Sequence, residues 1–211
     1  MKNSKCKICR RVGAKLFLKG ERCLSSKCPM IKRPYPPGEK GKRRTGAPSE
    51  YAKELQEKQK LRNWYNLGEK QFRKYVKEIL AKRGRIQAQD VGTMLIRKLE
   101  SRLDNVVFRM GLASSRREAR QRVNHGHFLV NGRKVNIPSF QTRKGDIISL
   151  RPGSLKKPVF QNLTTTLKKH QPPSWIKLNI EKLQAEIVGS PTLDEVAPPA
   201  EISAIFEFYS R

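Results

Sequence analysis

Four cysteines fall within one short stretch, CKICRRVGAKLFLKGERCLSSKC, as Cys6, Cys9, Cys23 and Cys28, and the 211-residue chain has no others. Their pattern is C-x2-C, thirteen residues, then C-x4-C. Two knuckles of this kind present four sulfurs to one point, the ligand set of a closed tetrahedral Zn²⁺ with Zn–S near ~2.3 Å. The stretch is too short and too polar for an apolar core of its own, so metal binding would supply its folding energy. Four thiolates leave no position for water, which points to a structural metal rather than a catalytic one. An iron–sulfur cluster uses the same ligands, and disulfides or free thiols are the remaining readings; a reducing compartment disfavours disulfides. Lys5, Lys7, Arg10, Arg11, Arg22 and Lys27 surround the cluster, and their charge is expected to lower the thiol pKa values.

The charge balance sets the class of partner. The chain carries 46 Lys/Arg against 18 Asp/Glu, a formal net charge of +28. Residues 181–211 hold two basic residues and six acidic ones, a net of −4, so residues 1–180 carry +32. Such an excess repels itself unless a polyanion neutralises it, and it marks a nucleic-acid binder. No apolar run approaches the ~20 residues that span a bilayer, which argues against a membrane partner. MKNSKCKICRR lacks the apolar segment of a signal peptide, so a cytoplasmic location is expected.

Residues 29–48, PMIKRPYPPGEKGKRRTGAP, are dense in proline, glycine and cations. That composition predicts neither helix nor strand. It suits an extended arm along RNA, with Tyr35 free to stack and the cations on phosphates. Ser49 then caps a predicted helix that ends at Asn66-Leu67-Gly68, with a broken stripe of Tyr51, Leu55, Leu61, Trp64 and Tyr65. Phe72, Tyr75, Val76, Ile79 and Leu80 keep helical spacing in the next segment, with Gly84 as its stop. The two helices are expected to form a hairpin. Asp90 is expected to cap a third helical region, continuous to Gly111 or divided near Ser101.

In SSRREARQRVNHGH, Ser115 and Glu118 form a capping box for a helix from Arg116 to about His125. Arg116 and Arg117 in its first turn oppose the helix dipole, and phosphate oxygens are the natural compensation. HFLVNGRKV reads as a hairpin turning at Asn131-Gly132, the strongest two-residue hairpin signal. Ile147–Leu150 is a further strand. Residues 153–174 read as a basic connection of low periodicity, Trp175–Ile180 as a strand, and ISAIFEFYSR, by its alternation, as another.

The stretch RLDNVVFRMGLASSRREARQRVNHGHFLVNGRKVNIPSFQTRKGDIISL (102–150) resembles a small RNA-binding module that takes its name from the fourth small-subunit ribosomal protein. Arg102-Leu103-Asp104, Gly111, Ser115-Arg116, Ala119-Arg120, His125-Gly126-His127, Val130-Asn131-Gly132, Pro138-Ser139 and Gly145-Asp146 carry the resemblance. EKQKLRNWYNLGEKQFRKYVKEI (57–79), RPYPPGEKG (33–41), EFYSR (207–211) and the cysteine cluster resemble the bacterial family of that ribosomal protein itself, in its four-cysteine, zinc-type subset. The resemblance implies a structural constituent of the cytoplasmic small ribosomal subunit and a primary rRNA-binding protein. Such a protein nucleates assembly at a junction in the 5′ domain of small-subunit rRNA. It also implies contact with the fifth small-subunit ribosomal protein, proximity to mRNA where it enters the subunit, and an influence on decoding accuracy.

The expected fold is α+β: an N-terminal zinc knuckle and helical domain, then a second small helix-plus-antiparallel-sheet RNA-binding domain. The expected boundaries are 1–48 for knuckle and basic arm, 49–101 for the helical domain completed by 175–211, and 102–174 for the module with its basic connection. The expected RNA contacts are Arg10, Arg11, Arg33, Tyr35, Lys40, Lys42, Arg43 and Arg44 in the first segment. In the module they are Arg102, Arg109, Ser115, Arg116, Arg117, Arg120, Gln121, Asn124, His125, His127, Asn131 and Arg133. The same module is appended to RNA-modifying enzymes, and a factor for stalled or recycling ribosomes is a further alternative. Against an enzyme, no nucleotide-binding glycine loop and no Ser/His/Asp or Cys/His constellation stands outside the cysteine cluster. No small-molecule substrate is expected.

Overall fold

A computed structural model describes residues 5–38, 46–82, 88–161, 163–168 and 170–210. The chain divides into two compact units, Met1–Leu95 with Ala197–Arg211, and Ile96–Val196. The first unit is helical. It contains α1 (Lys5–Val12), α2 (Glu21–Leu24), α3 (Pro29–Lys32), α4 (Glu50–Trp64), α5 (Glu69–Leu80), the start of α6 (Ala88–Glu100), and α12 (Ile202–Ser210). Ser49 caps α4 as its position predicts, its side chain accepting the Ala52 N–H at 3.3 Å. Asn66, with φ +53°, turns the chain out of α4. α5 buries Phe72, Tyr75, Val76 and Ile79 and exposes Lys70, Arg73, Lys74 and Lys77, as its periodicity requires. Its expected stop, Gly84, lies outside the described residues.

Three expectations for this unit are overturned. Pro29 starts a single helical turn, α3, because proline is pre-set for the first helical position. The stretch ISAIFEFYS is a helix, α12, and not a strand; it packs along α4 and also against α5. The stripe of α4 is not the one that apolar positions suggest. Tyr51 is 52% exposed, whereas Glu54 and Lys58 are buried beside Leu61 and Tyr65.

α12 explains that inversion. Lys58 Nζ stands 2.8 Å from Glu69 Oε1 and 4.4 Å from the centroid of the Phe208 ring. Arg62 Nη1 reaches Glu69 Oε2 at 3.0 Å, and the Tyr209 hydroxyl donates to Glu69 Oε1 at 2.7 Å. One carboxylate therefore ties α4, α5 and α12 together. Burial alone would raise the Glu69 pKa, but hydrogen bonds from Lys58 and Tyr209, with the charges of Lys58 and Arg62, hold it below the ordinary value. Tyr209 is pushed well up by burial and by its bond to Glu69.

The second unit takes the end of α6, then α7 (Leu103–Arg109), α8 (Arg116–Asn124), β1 (Phe128–Val130), β2 (Arg133–Val135), β3 (Ile147–Leu150), α9 (Pro152–Leu155), a 3-10 turn (Pro158–Phe160), α10 (Leu163–Lys168), β4 (Ile176–Asn179), β5 (Gln184–Ile187) and α11 (Leu193–Val196). The third helical region is two helices, broken at Ser101-Arg102, and Asp90 lies inside α6 instead of capping it. The strands form one antiparallel sheet in the order β2-β1-β3-β5-β4. Asn131 (φ +49°) and Gly132 (φ +79°) close the β1–β2 hairpin in the left-handed conformation that its twist requires. Ile148 of β3 faces Ala185 of β5 in register. Residues 175–196, assigned from sequence to the helical domain, thus belong with the sheet.

The core of this unit lies between the sheet and the helices. Val106, Met110, Ala119 and Val123 meet Phe128, Ile148, Ile176 and Ala185 there. The basic connection is more ordered than its composition suggests, since Phe160, Leu163 and Leu167 also enter the core. Within it, His170 Nε2 lies 2.7 Å from the Arg109 carbonyl oxygen. Its ring covers Gly111 (φ +79°), where an added Cβ would come within 2.6 Å of His170 Cδ2. Among the described residues no helix is long and apolar enough to cross a membrane.

The Glu69 lock sets a pH dependence. A depressed carboxyl pKa gives stability that is complete above the ordinary glutamate value and lost as pH falls through the depressed one. Tyr209→Phe removes one cause of the depression. It should destabilise the protein at neutral pH and have little effect once Glu69 is protonated, as read from urea unfolding at the two pH values.

Candidate nucleic-acid interface

The N-terminal segment gathers its four thiols. Cys6, Cys9, Cys23 and Cys28 line one small cleft with Lys5, Leu18, Lys19, Pro29 and Met30. All four are free thiols, and Cys9, Cys23 and Cys28 are buried. The Lys19 N–H points at Cys23 Sγ, 3.4 Å away. The cations around the cluster do not dominate Cys9: burial pushes its thiol up, opposed by a backbone hydrogen bond from Leu16, and Cys23, Cys6 and Cys28 add to the rise. Among the described residues no group of three or more His, Cys, Asp or Glu is arranged to hold a metal ion. The expected zinc knuckle is thus seen only as a convergence of thiols.

The arm beyond the cluster is pinned to α1. Arg10 Nε donates to the Tyr35 carbonyl at 2.9 Å, and its guanidinium lies 5.0 Å from the centroid of the Tyr35 ring. Two expected RNA contacts therefore hold each other, and one face of the Tyr35 ring is engaged. Arg11 and Arg33 are exposed. Lys40, Lys42, Arg43 and Arg44 lie outside the described residues. Gln56 Nε2 donates to the Val12 carbonyl at 2.9 Å, docking α1 on α4.

In the second unit the arginines sort into two groups. Arg102 is 2% exposed and makes two bonds to Asp104, at 3.0 and 2.6 Å. Glu100, at 0% exposure, takes Arg109 Nε and Nη2 at 3.0 and 2.9 Å and also bonds Asn105. Arg116 Nε donates to Asn105 Oδ1 at 2.6 Å, its Nη2 stands 3.6 Å from Glu100, and its guanidinium covers the Phe108 ring at 4.7 Å. Arg102 and Arg116, expected on RNA, are instead paired with internal carboxylates, Arg102 fully buried and Arg116 largely so. Arg109 is largely engaged in the same way.

Ser115 is buried and caps α8, its Oγ accepting the Glu118 N–H at 3.3 Å. Glu118 closes the motif one residue early, bonding the N–H of Ser114 at 2.9 Å and its hydroxyl at 2.6 Å. His127 is also buried, with Nδ1 2.9 Å from Ser154 Oγ and Phe160 set edge-on at 5.3 Å. Burial first, then the charges of Lys157, His125, Arg122 and Arg151, push its pKa down, which leaves the imidazole neutral at pH 7. Ser115 and His127 therefore serve packing and not direct contact. Asn131 is exposed, but its side chain latches the hairpin by donating to Asp146 at 2.8 Å and accepting the Ile147 N–H at 2.9 Å.

The other group is outward. Arg117, Gln121, Asn124, His125 and Arg133 are exposed, and Arg120 is half-buried. Positions 117, 121 and 124 share one face of α8, and His125 follows at its C-cap. Lys134 of β2 lies across Gly126 at the end of α8, where an added Cβ would come within 2.5 Å of Lys134 Cε. Helix face and hairpin therefore border one basic surface. Lys134, Arg151 and Lys157 belong to this neighbourhood and were missed, because only the folded sheet brings 151 and 157 to the end of α8.

This geometry agrees with two family comparisons. Residues 1–100 match the model of the ribosomal protein S4/S9 N-terminal domain, and residues 101–148 match the S4 domain. The chain belongs to the ribosomal protein S4 family. Within the family it is 47% identical over 206 residues to the small ribosomal subunit protein uS4 of Halothermothrix orenii, covering 98% of this chain and 96% of that one. The protein of the same name from Thermus thermophilus is 44% identical over the same length, and that of Syntrophomonas wolfei is 46% identical over 209 residues. The S4-domain match stops at 148, although the sheet of this family member continues through β4 and β5.

The sorting of arginines predicts opposite responses to neighbouring substitutions. Arg116→Ala leaves Glu100 short of a partner in a dry site and should lower stability by up to about 3 kcal/mol. Arg117→Ala should leave the thermal unfolding midpoint unchanged.

Proposed function

We infer that the chain is a structural, non-enzymatic protein of the small ribosomal subunit that binds rRNA. The observation that carries this reading is the full-length similarity: relatives at 44–47% identity, all named small ribosomal subunit protein uS4, align with 98% or more of the chain. The charge of +28 and the outward basic face of α8 and the β1–β2 hairpin support it. Binding would proceed by phosphate neutralisation and counter-ion release, with specificity taken from the shape of folded RNA, since A-form helices hide their major-groove edges. Arg11, Arg33, Arg117, Arg120, Gln121, Asn124, His125 and Arg133 are the proposed contacts. The proposed target is a junction in the 5′ domain of small-subunit rRNA, bound early in assembly. The fifth small-subunit protein and incoming mRNA are proposed neighbours, with decoding accuracy as the consequence. Purified small subunits should contain the chain at unit stoichiometry; its absence from them would sink the reading and favour a factor outside the ribosome.

The cysteine cleft is proposed to hold one structural Zn²⁺. What supports this reading is the chemistry of the cleft: four thiols line it, three of them buried, and a backbone N–H points at one sulfur. A cation would also offset the burial, and the lesser effect of the neighbouring thiols, that raise Cys9. Elemental analysis of protein purified without added metal should give about one Zn per chain. Iron with visible absorbance would instead identify a cluster on the same ligands.

A further inference from the structure

Between residues 5 and 38, the described residues with positive φ are Gly13, Gly20, Gly38 and Phe17. Glycine adopts this conformation without strain, whereas an aromatic residue at φ +50° is sterically disfavoured. Burial does not compensate Phe17. The residue is 47% exposed, while the adjacent Leu16 is 1% exposed and fills the interior. Lys15 and Lys19, two residues to either side, are exposed as well. A glycine would make the same turn, so the ring itself is the feature that the strain maintains, and strained positions concentrate at functional sites.

An exposed aromatic residue flanked along the chain by two exposed lysines has the chemistry of a single-stranded RNA contact: a π-face for a base and cations for phosphates. A protein partner would have to desolvate both lysines to reach the ring, which disfavours that occupant. We propose that Phe17 is a stacking platform for an unpaired nucleobase of the bound rRNA, with Lys15 and Lys19 on the flanking phosphates. This assignment rests on the rRNA-binding reading, and it adds the turn between the two cysteine pairs to the binding surface.

The test is binding of the full chain to transcribed 5′-domain RNA over a range of salt concentrations. Phe17→Ala should weaken binding about ten- to hundredfold and leave the salt slope unchanged, and Phe17→Trp should restore affinity. Lys15→Ala with Lys19→Ala should make the slope shallower by about 1.4–1.8 in log–log terms. Phe17→Gly guards against a folding artefact: relief of strain should keep or raise its unfolding midpoint while affinity still falls. Wild-type affinity in Phe17→Gly would overturn the platform, and so would normal RNA binding accompanied by poor incorporation into subunits, which would place a protein on the ring. Failure of the wild-type chain to bind the RNA would instead overturn the rRNA reading.

Discussion

The Glu100 carboxylate, buried without solvent contact, is the point about which the second unit is organised. It closes α6, holds Asn105 and Arg109 of α7, and lies beside Arg116 at the start of α8. A lone buried carboxylate is strongly unfavourable, and so is a lone buried guanidinium. Each is tolerable only because the other is fixed within reach. In a chain with so few acids, placing Glu100 and Asp104 inside has a second effect. They neutralise the arginines that build the scaffold and leave the remaining cations facing outward.

The first unit applies the same logic with another carboxylate. Glu69 is the common partner of Lys58, Arg62 and Tyr209, so three helices meet on one anion. Both units therefore spend acidic residues as internal staples, and the basic surface follows from that distribution. The two sets of cations differ in surroundings and not in residue type.

This difference also marks what could be read from sequence. Local patterns were legible: the buried stripe of α5, the Ser49 and Ser115 caps, the Asn131-Gly132 hairpin and the convergence of cysteines all depend on near neighbours. Long-range partners were not. Arg116 looked like a phosphate ligand because Glu100 and Asn105 only become its partners when α6, α7 and α8 fold together, whereas Arg102 pairs locally with Asp104 and is hidden by the packing around it. α12 read as a strand because it packs against both α4 and α5, which spreads its apolar residues beyond one helical stripe. β5 escaped notice because QAEI buries only Ala185 and Ile187, and its pairing with β3 lies some forty residues away along the chain.

The position of α12 along the chain has a consequence for the timing of folding. During synthesis α4 and α5 are made early, but the helix that covers Lys58 and supplies Tyr209 comes only after residue 200. The sheet likewise lacks β4 and β5 until residue 187 has been added. Neither unit can close while most of the chain is being made. Each unit therefore closes only after a segment distant in sequence has been added, and a chain without α12 leaves a buried lysine without its aromatic cover.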